Sequence, residues 1–153
     1  LDVLFDEDGE PVDHVTGEPV ENYFRAWDNP DFPGRAEGLE HLAIYGYAEY
    51  EHVFSRSYGG YNRWRETLAK LAGYTPDDAW DGLVQAGAPF WELVNFADNE
   101  GAIGPVVAAK LLRDFEEFDE RAKTIENDLF YQGYCSIRRG LELAADGGAL
   151  EFH

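Results

Sequence analysis

The sequence predicts an α+β fold: a small, mostly antiparallel sheet packed against about four helices. Three observations carry this expectation. The last third of the chain holds two long stretches with apolar residues at helical spacing. The first 58 residues hold short runs of aromatic and β-branched residues broken by turn formers. The end of the chain, ALEFH, alternates like a short strand. A chain of 153 residues suits one domain over 1–153. At that size folding buries roughly 70% of the surface that the unfolded chain exposes. The chain opens on LDVLF rather than Met, already strand-like, which points to a missing N-terminal segment.

Each element follows in order. VLF, the turn signal DEDG and the returning PV read as a hairpin, and TGEP makes a second turn. Residues 28–38, DNPDFPGRAEG, hold two prolines and two glycines and read as a loop. Residues 39–58 contain IYGYAEYEHVF, expected as one or two strands. A first helix follows SYGG, with Tyr61, Trp64, Leu68 and Leu71 at helical spacing and Gly73 as its stop. A short helix is expected after Pro76. A second main helix opens at Pro89, with Phe90, Leu93, Val94 and Ala97 on one face. The third begins at Gly104-Pro105, where proline loses no helical hydrogen bond. Its stripe is Ile103, Val107, Leu111, Phe115, Phe118, Ala122 and Ile125. The fourth runs from about Asp128 to Ala145, along Phe130, Tyr134, Ile137, Leu141 and Ala144, and DGG ends it. The tail is expected to pair with the N-terminal strands.

Composition narrows the function. The net charge is −19, which opposes direct binding to nucleic acid or to an anionic membrane and favours a basic partner. The charge is uneven. Residues 1–54 carry 14 acids and 2 bases, residues 55–88 four of each, and residues 89–153 carry 13 acids and 6 bases. No apolar run approaches the roughly 18 residues of a membrane span, and no signal peptide opens the chain. The single Cys135 excludes an intramolecular disulfide and reads as a small buried thiol within a helix. His14, His41, His52 and His153 form no ligand pair and there is no CxxC, so neither a metal nor a cofactor is expected.

Two segments are candidate sites. In RSYGGYNRWR, residues 56–65, two glycines precede a helix start whose free N–H groups and dipole attract anions. Arg56, Arg63 and Arg65 add positive charge, and Tyr58, Gly59, Gly60, Tyr61 and Trp64 offer close approach and stacking surfaces. The competing reading is a tight turn followed by core aromatics. In NFADNEG, residues 95–101, Asp98, Asn99 and Glu100 crowd a short turn between helices, where two carboxylates suit acid–base chemistry or a divalent cation. The competing reading is helix capping. His153 at the tail is a further candidate for the same pocket. DEDGEPVD, residues 6–13, has the flavour of a calcium loop but lacks the EF-hand spacing, and reads as a charged hairpin turn.

The phrases SYGGYNRWRETLAKLAGY, PFWELVNFADNEGAIGPVVAAKLLRDFEEF and AADGGALEFH resemble a family of uncharacterised phage and prophage proteins. The likeness covers nearly the whole chain, including GEPVDHVTG and NPDFPGRAE. Family members open with a segment like MGLDITAY, absent here, and carry Cys where this chain has Asn99. The resemblance implies a bacterial cytoplasm and a role in the phage–host contest, with no established activity. Two functions are therefore expected to compete. One is a non-enzymatic protein whose acidic surface engages a basic host or phage protein, as a nucleic-acid mimic or anti-defence factor. The other is a pocket for a small ligand or nucleotide, with hydrolytic activity as an extension.

Overall fold

The computed structural model describes residues 3–96 and 100–152. It is α+β, with five helices and three two-stranded antiparallel ladders. The first ladder pairs β1 (Val3–Phe5) with β2 (Pro11–Asp13), Val3 opposite Asp13. Its acids build its turns. The Asp6 carboxylate accepts the N–H groups of Asp8 and Glu10 at 3.0 and 2.8 Å. Asp13 accepts those of Val15 and Thr16, both at 2.8 Å, and these bonds hold its carboxyl below the usual carboxylate range. The calcium-like flavour of this segment is therefore turn chemistry.

The second ladder pairs β3 (Tyr23–Arg25) with β4 (Ile44–Gly46). The expected loop 28–38 lies between them and docks by three side chains, of which Asn29 donates its amide to the Glu100 carbonyl at 3.0 Å. Phe32 sits edge-on to Phe96 at 4.9 Å. Arg35 is buried, with its guanidinium donating to the Glu92 carbonyl and the Asn95 side chain and lying 4.4 Å from the Trp91 ring centre. The strands expected over 39–58 shrink to β4. Residues 47–57 have no regular structure. Among the described residues, the backbone of 48–56 makes no backbone–backbone hydrogen bond. This strap leads into α1 (Tyr58–Ala72).

Helix α1 starts at Tyr58, earlier than the two glycines suggested, because the Ser57 hydroxyl caps it by accepting the Gly60 N–H. It ends at Gly73, whose φ of 91° is left-handed. Helix α2 (Pro76–Trp80) is opened by a Thr75–Asp78 capping box. The helix expected from Pro89 is one turn only, α3 (Trp91–Val94), entered through Phe90 at φ 60°. Helices α4 (Pro105–Ala122) and α5 (Asp128–Ala145) pack on each other and match their sequence periodicity. Between them Tyr134, fully buried, donates its hydroxyl to the Phe115 carbonyl at 2.7 Å.

The third ladder corrects the tail's expected partner. β6 (Leu150–Phe152) pairs with β5 (Gly101–Ile103), not with the N-terminal strands. The α4–α5 hairpin explains this. β5 leads into α4 and β6 follows α5, so the antiparallel helices return the chain to its starting end. Reading NFADNEG as a plain turn hid the strand GAI that begins at its last residue, Gly101.

Cys135 is a second correction, because it is exposed rather than buried. Its neighbour Tyr134 takes the inward position, and one residue turns about 100° around the helix. A thiol reagent is expected to modify Cys135 in the native protein nearly as fast as in the unfolded chain. Strong protection in the native state would contradict this placement.

Candidate functional site

A groove of about 900 Å³ opens between two parts of the chain. One side is the strap, including Tyr47, Glu49, Tyr50 and Glu51. The other is the end of α5 with the turn into β6, including Arg139, Glu142 and Asp146. Tyr61 and Phe152 line it too, with ring centres 6.1 Å apart.

Two glycines of α5 seat the strap. A side chain at Gly133 would put its Cβ 2.8 Å from the Phe54 ring and 2.9 Å from Trp64 Nε1. One at Gly140 would lie 2.9 Å from both Val53 and Leu150. These bare helix positions let Val53 and Phe54 press onto the core, with Phe54 5.4 Å from Trp64 between ring centres. Ahead of that anchor, the strap is tied by charge. The Arg139 Nε–H donates to Glu51 at 3.1 Å, while its two terminal nitrogens reach Glu49 at 3.5 Å and Glu142 at 3.4 Å. These carboxylates hold the Arg139 guanidinium above its ordinary pKa, Glu51 most strongly.

The lining is acidic and aromatic together. It includes five carboxylates, from Glu49, Glu51, Glu142, Asp146 and Glu151, against two guanidinium groups. Both guanidinium groups are engaged. Arg139 bonds the three carboxylates just named, and Arg56 donates to the Leu129 carbonyl and lies 5.6 Å from the Phe54 ring centre. Tyr50 and Tyr58 are 65% and 69% exposed, far more than rings placed for packing.

The residues singled out from sequence are divided by the fold. Arg56, Tyr58 and Tyr61 line the groove. Gly59 and Gly60 form the first turn of α1 beside it. Trp64 and Arg65 point inward, each 5% exposed. Trp64 Nε1 donates to the Phe130 carbonyl, and the Arg65 guanidinium donates to the Val94 carbonyl and the Asn62 side chain. Both are spent on the interior rather than on a ligand. Glu100 lies in a separate depression of about 370 Å³, with Arg25, Trp27 and Glu151. Asp98 and His153 lie outside the described residues. The two candidate segments do approach each other inside the protein. The Tyr61 hydroxyl donates to the Phe96 carbonyl at 3.3 Å, and burial pushes its pKa well up.

The sequence reading passed over Glu49, Tyr50, Glu51, Arg139, Glu142 and Asp146. The run YGYAEYE carried a signal, since tyrosine and glutamate recur there without the apolar partners a buried strand needs. Among the described residues, no three His, Cys, Asp or Glu side chains are grouped to hold a metal ion. No described helix is long and apolar enough to cross a membrane. No family model, curated protein or solved structure matches the chain.

Proposed function

We propose that this is a non-enzymatic binding protein that takes a basic segment of a protein partner into the groove between the strap and α5. The observation that carries this reading is the lining itself. Five carboxylates and several aromatic rings line the groove; three of the carboxylates share Arg139, and Arg56 is engaged by a backbone carbonyl. Carboxylates and ring faces together recognise cations, by charge and by the ring quadrupole. The same lining disfavours a nucleotide, whose phosphates would meet like charge. The net charge of −19 adds long-range attraction for a basic partner. A host or phage protein is the expectation carried by the sequence resemblance.

Binding of a fluorescent arginine–glycine decapeptide tests the reading, with a glutamate–glycine decapeptide as control. The basic peptide is expected to bind saturably and to weaken steeply between about 50 mM and about 300 mM salt, as screening shortens the reach of the carboxylates. Glu49→Gln with Glu51→Gln is expected to weaken binding about tenfold, which corresponds to about 1.4 kcal/mol. Saturable binding that ignores salt, or equal binding of the acidic peptide, would refute it.

A further inference from the structure

We infer that Arg139 is an internal stand-in for an arginine of the partner, and that the partner's guanidinium displaces it from Glu49 and Glu51. This inference rests on the basic-segment reading above and specifies its ligand.

The geometry around Arg139 carries the argument. Its three guanidinium nitrogens address three carboxylates, from two parts of the chain about 90 residues apart. Glu49 and Glu51 come from the strap, while Glu142 lies one turn along α5 from Arg139. The cluster is therefore already shaped around one guanidinium plane. It is also loosely held. The Arg139, Glu49, Glu51 and Glu142 side chains are 46%, 65%, 45% and 41% exposed. Ion pairs that exposed contribute little, because water and salt compete for both partners.

Besides these ion pairs, this part of the strap is held by the Tyr50 ring, which lies 5.9 Å from that of Tyr47. The backbone of 48–56 makes no backbone–backbone hydrogen bond among the described residues. Its firm anchors, Val53 and Phe54, come after the carboxylates. Arg139 can therefore swing outward, keep its pair with Glu142, and leave Glu49 and Glu51 facing the groove. An arriving guanidinium replaces one ion pair with another and adds the exposed faces of Tyr50 and Tyr58. Arginine is favoured over lysine, because the vacated carboxylates are arranged for a planar fork.

The test compares the native chain with Arg139→Gln, using the arginine–glycine decapeptide and its lysine–glycine counterpart. Removing the internal competitor is expected to tighten arginine-peptide binding about tenfold, as occurs when a closed state no longer taxes binding. The native chain is expected to prefer the arginine peptide. A second readout needs no variant. The Arg139 Nε–H signal in ¹⁵N NMR is expected to move towards the free-arginine position as peptide saturates the native chain. Equal or weaker binding by a folded Arg139→Gln overturns the inference and leaves the basic-segment reading standing. So does an unmoved Arg139 signal in the saturated complex. If neither chain binds either peptide, the basic-segment reading falls and takes the inference with it.

Discussion

Gly133→Ala is expected to destabilise the protein and to remove the groove, although the same change elsewhere in a helix stabilises. In an ordinary helix interior, alanine gains about 1 kcal/mol over glycine. Here the new Cβ meets Phe54 at 2.8 Å and the Trp64 ring at 2.9 Å. Trp64 cannot retreat, since it is buried between Phe130 and Tyr61 and its Nε1 is bonded to the Phe130 carbonyl. Phe54 is the side chain that gives way, and it carries the strap. Overpacking of this kind costs about 1–3 kcal/mol, which outweighs the helix propensity gain at the upper end of that range. The expected result is a lower denaturation midpoint together with peptide binding weakened by about tenfold or more, equivalent to at least about 1.4 kcal/mol. Gly140→Ala should act in the same direction through Val53. A Gly133→Ala protein that is more stable and binds peptide normally would show that the strap does not seat on α5.

The second large effect lies where the segment before α3 meets α4. Lys110 Nζ is 2.6 Å from Glu92, 2.8 Å from Asp114 and 2.6 Å from the Ala88 carbonyl. Asp114 in turn accepts the Phe90 N–H at 2.8 Å. These bonds tie the segment before α3 to α4. They hold Phe90 in its left-handed conformation, with its ring edge-on to Phe115 and Phe118 at 5.1 and 5.2 Å. Lys110→Met keeps most of the stem but leaves two carboxylates, 12% and 13% exposed, without their shared cation. Loss of one partner from such a pair is expected to cost about 3 kcal/mol.

The pH dependence separates this cause from lost packing. Burial chiefly holds the Asp114 carboxyl above its ordinary pKa, against the lowering effect of Lys110. Without Lys110 that upward shift grows. The folded state then binds the proton more readily than the unfolded chain. Lowering the pH from about 7 to about 5 therefore restores part of the stability that Lys110→Met loses relative to the native chain. Thermal melts of both proteins at the two pH values check this. An identical loss at both would mean that the packing of the lysine stem, not its charge, is what matters.

Much of the helical half was legible in the sequence. The start near Asp128 and the DGG after Ala145 bound α5, and Gly104-Pro105 opens α4. These signals are local, so a single sequence carries them. The ladders were less legible, because pairing depends on where the helices return the chain. The groove was least legible. Arg139 and the strap carboxylates of Glu51 and Glu49 lie 88 and 90 positions apart, and no periodicity connects them. The inward turn of Arg65 was readable in principle. Tyr61, Trp64, Arg65 and Leu68 fall on one helical face, and that face is the buried one. The Arg- and aromatic-rich island at 56–65 therefore splits. Arg56, Tyr58 and Tyr61 border the groove, while Trp64 and Arg65 hold the core together.

The most direct measurement is an amide ¹H–¹⁵N NMR titration of the native chain with the arginine–glycine decapeptide. The basic-segment account predicts shifts concentrated at residues 47–58 and 137–149, the two sides of the groove. Shifts concentrated instead on the acidic hairpin at residues 3–13 or on the outer face of α4, or spread evenly over the acidic surface, would contradict it.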